Sequence, residues 1–224
     1  MHVCLFDIDG TLLDTGGAGQ AAMEAALAAE FGASRPVTGI SAAGRTDRAI
    51  TQDLLAFHGL PDDEAHTARL LTAYLRHLPE QLAARPGGVL PGVAEILADL
   101  APREDVLVGL LTGNYREGAR VKLAHFALEA HFRFGGYGDR HHDRCDVARE
   151  ALAELRAHYD GEIDLERVWV IGDTPADVRC GRAIGARVVA VGTGVFPLAD
   201  LAASRPDHLF DSFRDPRGLL ELLV

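Results

Sequence analysis

Short apolar runs alternate with helical patterns along most of this chain. The runs lie at residues 3–6, 106–111, 168–171 and 188–191, with a weaker one at 208–210. Each precedes a loop rich in Gly, Asp, Thr or Asn, and this alternation is typical of a parallel sheet with crossover helices. In such sheets the carboxyl ends of the strands form the ligand crevice. We therefore expect these loops to converge on one site.

The long segment between the first two predicted strands has a different character. Three stretches of it show helical periodicity: residues 18–31, 47–57 and 62–77. The third has Leu71, Leu75 and Leu78 on one face. The segment returns through a Pro- and Gly-rich stretch at residues 86–92, which is typical of a hinge.

The predicted architecture is a Rossmann-like α/β core that carries a small all-helical cap. At 224 residues the chain can bury one core together with a small accessory domain. We place the core at residues 1–14 and 86–224 and the cap at residues 15–85.

Composition limits the partners. The net charge of −11 argues against binding of nucleic acid or an anionic membrane, because both need neutralising basic residues. No span of 18 apolar residues occurs, and three cysteines without a Cys-x-x-Cys spacing favour reduced thiols. We expect a cytoplasmic monomer or homodimer, and any phosphate that it binds should be a small one held locally.

The strongest local feature is a pair of acids at the end of the first predicted strand, Asp7 and Asp9 in Phe-Asp-Ile-Asp-Gly-Thr-Leu. Where the strand ends and the chain turns at Gly10, both side chains can approach one point. Two carboxylates there repel each other unless a cation lies between them. Mg²⁺ suits such a place, since it prefers few carboxylates, several waters and a phosphate oxygen.

These residues resemble the first motif of the haloacid dehalogenase superfamily, in its phosphatase branch. The resemblance implies that Asp7 is the nucleophile, that Asp9 is the general acid and base, and that Asp7 and the backbone carbonyl of Asp9 bind Mg²⁺. The structural alternative is a strand end with solvated acids. A dehalogenase has no need of the second carboxylate, so Asp9 favours a phosphatase.

Two later segments match further motifs of the superfamily in the expected order. Thr112-Gly113-Asn114 follows a strand and opens a helix, where a hydroxyl and free N–H groups can bind an anion. The resemblance implies that these three residues bind the phosphoryl group. Asp173 in Gly-Asp-Thr-Pro-Ala-Asp is implied to bind the metal, with Asp177 orienting its surroundings. An N-cap role for Asp173 is compatible with metal binding.

The superfamily also uses a cation, usually a lysine, to hold the phosphoryl group. The expected place offers Arg144, whose planar fork differs from an ammonium. The alternative is Lys122, the only lysine of the chain, but it lies eight residues beyond Asn114, roughly 12 Å along a helix. We favour Arg144 and keep Lys122, or neither, as alternatives.

The sequence is most similar to phosphoglycolate phosphatase-like members with a helical cap between the first two motifs. In such caps a loop often reaches the site, so Arg45 in Gly-Arg-Thr-Asp is a candidate for substrate specificity, with an ordinary helix start as the alternative. The predicted function is Mg²⁺-dependent hydrolysis of a small phosphate ester through a phospho-aspartyl intermediate. A phosphomutase is one alternative, which Thr11 disfavours, because a mutase would have a bulkier apolar residue there. A non-catalytic binding protein is another, but it would be expected to have lost Asp7, Asp9 or Asp173.

Overall fold

The computed structural model describes residues 1–224 and has one main sheet of six parallel strands. The strands are β1 (His2–Phe6), β4 (Val106–Leu111), β5 (Gly135–Gly136), β6 (Val168–Gly172), β7 (Arg187–Val191) and β8 (His208–Phe210). Their order across the sheet is β5-β4-β1-β6-β7-β8. The chain therefore extends the sheet on both sides of β1, and the carboxyl ends of β4, β1 and β6 lie side by side.

Helices cover both faces of the sheet, as parallel strands require. They are α4 (Val93–Leu100), α5 (Arg116–His125), α6 (Arg144–His158), α7 (Pro175–Ala183), α8 (Leu198–Ala203) and α9 (Arg217–Leu220). Side chains of a strand alternate between faces. Cys4 and Phe6 of β1 accordingly join the cluster that contains the apolar stripe of α4, and Val3 and Leu5 join the cluster that contains α6 and α7 residues.

Three helices form the segment that we predicted as the cap: α1 (Ala18–Phe31), α2 (Asp47–Phe57) and α3 (Glu64–Ala84). They share a hydrophobic cluster, which includes Leu27, Leu55 and Leu78 and also Tyr115 at the start of α5. The two chain connections to the sheet pair with each other as the antiparallel strands β2 (Leu13–Asp14) and β3 (Gly88–Val89). We use "cap" for residues 15–85, and the exact domain boundaries stay a prediction.

The predicted fold class is confirmed, and the differences are local. β2, β3 and β5 were not predicted, because strands of two residues carry no periodicity and β5 consists of two glycines. No helix is long and apolar enough to span a membrane.

The bounds of the third cap helix differ from the predicted range 62–77. It begins after Asp63, which caps His66 N, and it continues past Pro79 to Ala84. A proline inside a helix costs about 3 kcal/mol, and burial of Leu78 and Leu82 in the cap core offsets that cost. The fully buried face is also rotated from the predicted one, because Leu70 is buried whereas Leu71 and Leu75 are only partly buried.

Candidate active site

Three neighbouring strand ends deliver polar residues to one place. Asp7 follows β1, Thr112 follows β4 and Asp173 follows β6. The Asp7 N–H still donates to the carbonyl of Ile171 at 2.9 Å, so the nucleophile candidate is held by the sheet itself. Gly10 then turns the chain at a φ of 82°, a conformation that other residues rarely adopt. This turn brings the segment after β1 against Asp173.

A cluster of three buried carboxylates lies at this point. Oxygen atoms of Asp7, Asp173 and Asp177 all lie within 4.8 Å of one another. Thr11 donates its hydroxyl to Asp173 at 3.0 Å. A Cβ on Gly10 would lie 2.5 Å from Asp173 Oδ2, so the packing also requires glycine here. Residues of the first and the last of the three predicted motifs thus meet in one compact acidic cluster.

Arg144, the first residue of α6, is the cation of this cluster. Its Nη2 lies 2.8 Å from Asp7 Oδ2 and 2.7 Å from Asp177 Oδ1, and its side chain is only 3% exposed. Asp177 also accepts from the backbone N–H and the hydroxyl of Thr174 in the capping box of α7. Arg144 therefore bridges the candidate nucleophile to a fixed carboxylate.

The cluster shifts the acidity of its members. Burial raises the pKa of Asp7 to about 6, although Arg144 opposes the shift. Burial, with Asp7 and Asp177 nearby, raises the pKa of Asp173 to about 8. Burial alone would lower the pKa of Arg144, but Asp177 and Asp7 raise it above its usual value. Burial in this cluster therefore disfavours the charged forms of Asp7 and Asp173.

These carboxylates fit a magnesium ion. Hard oxygen donors in a buried cluster with excess negative charge are what Mg²⁺ requires. Asp7 and Asp173 would supply carboxylate ligands, whereas both Asp177 oxygens already contact Arg144 or Thr174. The Asp9 carboxylate is not part of the cluster. Its predicted contribution, a backbone carbonyl, stays a prediction.

Asp9 has a separate cation, Lys122. The Lys122 ammonium lies 2.9 and 2.7 Å from the two Asp9 oxygens and 2.6 Å from Asn114 Oδ1. The Asn114 amide in turn donates to Asp9 Oδ2 at 2.8 Å. Lys122 thus reaches the site although we expected it to lie too far along the helix. Side chains in a helix point back toward its N-terminus, so the long lysine side chain spans much of the distance between Lys122 and Asn114. Both candidate cations therefore reach the site, each at a different carboxylate.

The loop after β4 fixes Asn114. The Thr112 hydroxyl accepts from the backbone N–H of Asn114 at 3.3 Å and from its side-chain amide at 2.8 Å. Thr112 is fully buried and lies beneath the cavity wall rather than in it. Its predicted phosphoryl contact, and those of Gly113 and Asn114, stay predictions.

The cap lies directly on this loop. The N–H of Asp47 donates to the carbonyl of Gly113 at 2.7 Å, and the Asp47 carboxylate accepts from the N–H of Tyr115 at 2.8 Å. A Cβ on Gly113 would lie 2.0 Å from the carbonyl oxygen of Arg45, so glycine permits this approach. Thr46 rather than Asp47 caps α2, through the N–H of Ala49. The Asp47 carboxylate contacts Tyr115 of the core instead.

The cap and the core enclose an active-site cavity of about 550 Å³. Among the predicted site residues, eight line it: Asp7, Asp9, Arg45, Gly113, Asn114, Lys122, Arg144 and Asp173. Thr112 and Asp177 support these residues from behind. Glu24, Ile50 and Tyr74 of the cap also line the cavity and were not predicted. No local motif marks them, because they meet the core loops only after the cap has packed on the core.

Arg45 lines the cavity but already has partners. Its Nη2 lies 2.7 Å from Asp53 Oδ2, and its guanidinium also donates to the carbonyls of Ser41 and Ala49, each at 3.3 Å. Its predicted role in substrate specificity stays a prediction.

Comparison with known proteins identifies the family of this chain. A family model described as haloacid dehalogenase-like hydrolase matches residues 4–182. The chain belongs to this family, and the predicted enzyme class, a phosphoric monoester hydrolase, is confirmed.

Two curated relatives are named phosphoglycolate phosphatase. The one from Rhodospirillum rubrum is 28% identical over 93% of this chain and 86% of its own length. The one from Mesorhizobium japonicum is 27% identical over 86% of this chain and 83% of its own length.

A solved structure shows the same fold. CbbY from Rhodobacter sphaeroides, in complex with phosphate, superposes with a TM-score of 0.72 at 19% identity and covers 96% of both chains. The predicted resemblance and fold class are confirmed.

Proposed function

We propose that this protein is a Mg²⁺-dependent phosphatase that hydrolyses a small phosphorylated metabolite through a phospho-aspartyl intermediate at Asp7. The observation that carries the proposal is the position of Asp7. Its carboxylate is buried at the wall of the cavity, 2.8 Å from Arg144 and within the cluster that contains Asp173.

In the first step an Asp7 oxygen bonds to phosphorus, and the bond from phosphorus to the ester oxygen breaks. Asp9, in its protonated form, gives a proton to the departing alcohol oxygen. In the second step Asp9 takes a proton from water, whose oxygen attacks phosphorus and releases Asp7 and inorganic phosphate. Arg144 offsets charge on the transferring oxygens in both steps.

Asp7, Asp173 and the Asp9 carbonyl would hold the metal. When bound, Mg²⁺ neutralises charge on the phosphoryl oxygens and orients the phosphate for in-line attack. Asp177 keeps Arg144 in place, and the cap contacts at Asp47 exclude bulk water from the acyl phosphate.

The relatives support phosphate ester hydrolysis, and a fold neighbour was solved with phosphate bound. A non-catalytic binding protein would be expected to have lost Asp7, Asp9 or Asp173. All three are present and line one cavity. Thr11 donates to Asp173 at 3.0 Å, which is compatible with a hydrolase. A phosphomutase would share the intermediate but return the phosphoryl group to its substrate.

Phosphate release from a panel of phosphorylated metabolites, measured with Mg²⁺ and with excess chelator, tests the proposal. We expect Mg²⁺-dependent release from at least one ester and none from Asp173→Asn. The exposed variant Asp99→Asn serves as a control. Metal-independent release would contradict the proposed metal, and isomerisation of a sugar phosphate without release would favour the mutase.

A further inference from the structure

The cap contributes an apolar wall to the active-site cavity. Gln20 and Glu24 of the cap also line the space, but its six larger apolar residues there are Met23, Val37, Ile40, Ile50, Leu54 and Tyr74. The acidic cluster and Arg144 occupy the core side of the same cavity. The phosphoryl group belongs to the core side, so the apolar wall faces the leaving alcohol.

The cavity is large for a two-carbon leaving group. Its volume of about 550 Å³ lies within the range of pockets that hold drug-sized ligands, whereas phosphoglycolate has only about nine non-hydrogen atoms. The cap is already seated on the core through Asp47, Gly113 and Tyr115, so this is the space with the cap in place. An apolar surface next to unfilled space favours a ligand that covers it.

The charges in the cavity disfavour a second anion on the substrate. Six acidic and three cationic side chains line the cavity. Each cation lies within 2.8 Å of a carboxylate: Arg45 with Asp53, Lys122 with Asp9, and Arg144 with Asp7. On the cap side, Glu24 has only Gln20 as a partner. A carboxylate on the leaving group would therefore meet apolar surface and the exposed Glu24 there, and the one cation on that side, Arg45, is already held by Asp53.

We infer that the substrate is a phosphate monoester of an uncharged alcohol with an apolar body larger than two carbons. This inference rests on the proposed function, because it assigns the phosphate to the core side. It differs in chemical class from the phosphoglycolate-like substrate that the sequence predicts and that the names of two relatives favour. Arg45 is then part of the loop that seats the cap, held by Asp53 and two carbonyls.

Matched ligands test the inference without relying on turnover. Benzylphosphonate and 4-carboxybenzylphosphonate differ by one carboxylate and resist hydrolysis, and their Kd values with the Mg²⁺-loaded wild-type protein can be measured by calorimetry. We expect the neutral ligand to bind at least about tenfold more tightly, because an unpaired carboxylate loses solvation in the cavity. Equal or tighter binding of the carboxylated ligand would overturn the inference.

A charge variant sharpens the test. Glu24→Gln should strengthen binding of the carboxylated ligand and leave the neutral ligand unchanged. Glu95 is also exposed but does not line the cavity, so the control Glu95→Gln should change neither. If the ratio of the two Kd values were the same in Glu24→Gln as in the wild type, Glu24 would not be the residue that disfavours a ligand carboxylate.

Turnover separates this inference from the proposed function. Phosphate release from phenyl phosphate should exceed that from 4-carboxyphenyl phosphate and phosphoglycolate in kcat/KM by at least about tenfold. Preferential binding of the neutral phosphonate without any phosphate release would reject the proposed phosphatase and the substrate with it, and would leave only the preference of the cavity for an uncharged apolar group.

Discussion

Asp7 and Asp9 lie two positions apart, yet the fold gives them opposite surroundings. The Asp7 side chain is 7% exposed and its partner is a guanidinium that also contacts Asp177. The Asp9 side chain is 41% exposed and its partners are the Lys122 ammonium and the Asn114 amide. The difference fits the two different tasks that we propose for these carboxylates.

The two cations match these tasks. The Arg144 fork is planar, and the first turn of α6 holds it between two buried acids. The Lys122 ammonium is a point charge at the end of a flexible stem. A nucleophile needs a fixed position, whereas a proton carrier must serve the leaving oxygen and then water. We therefore expect the Asp7 side of the site to tolerate change less than the Asp9 side.

The largest effect should follow Asp7→Asn. The amide cannot form the acyl phosphate, so kcat/KM should fall by at least about 10⁴-fold. Steady-state phosphate release with Mg²⁺ measures this, with the exposed Asp99→Asn as a control. Substantial Mg²⁺-dependent activity in Asp7→Asn would break the comparison, because Asp7 would then not be the nucleophile.

Asp9→Asn should be nearly inactive for a different reason. The variant lacks the acid and base, a loss of about 10³-fold in kcat. It should still bind Mg²⁺, since the proposed ligand is the backbone carbonyl, and Mg²⁺ should raise its Tm as in the wild type. If the Mg²⁺-induced rise in Tm disappeared, the Asp9 side chain would have to be a metal ligand.

Arg144→Ala should lower kcat/KM by about 10²-fold or more, on the order of 3 kcal/mol for a charge-assisted contact. It should also lower the free energy of unfolding, because Asp7 and Asp177 lose their shared cation. The exposed variant Arg149→Ala, on the same helix, is the control. Arg144→Lys should recover stability better than activity, since one ammonium cannot reproduce the fork.

Lys122→Met should have a smaller effect, about tenfold in kcat, because Asn114 still holds Asp9 after the ammonium is removed. Arg120→Met, exposed on the same helix, is the matched control. A loss as large as that of Arg144→Ala would move the phosphoryl contact to Lys122 and remove the contrast between the two cations.

The smallest effect should be that of Arg45→Ala. With its guanidinium held by Asp53, we expect a change of less than about threefold in KM, equal for phenyl phosphate and 4-carboxyphenyl phosphate. A selective loss of about tenfold on the carboxylated substrate would restore Arg45 as the residue that contacts a substrate carboxylate.

From the sequence we could predict the features that depend on residues close together along the chain. Apolar runs and strand-end acids predicted the parallel sheet and placed Asp7 and Asp173 at one edge, because the carboxyl ends of parallel strands meet there. The same approach misjudged Lys122, since the helical rise ignores the direction of a long side chain. It also missed the link from Asp47 to Tyr115, which exists only after the cap packs on the core. Long-range contacts of this kind have no local signal.

The central claim is that Asp7 becomes phosphorylated, and chemical trapping tests it most directly. The wild-type enzyme is mixed with Mg²⁺ and an ester that it hydrolyses, and the reaction is quenched in acid during turnover. Reduction with borohydride then converts a phospho-aspartyl residue to homoserine. Peptide mass spectrometry should then find homoserine at position 7 and none in a sample without substrate. Homoserine at another aspartate, or at none while phosphate is being released, would contradict the account.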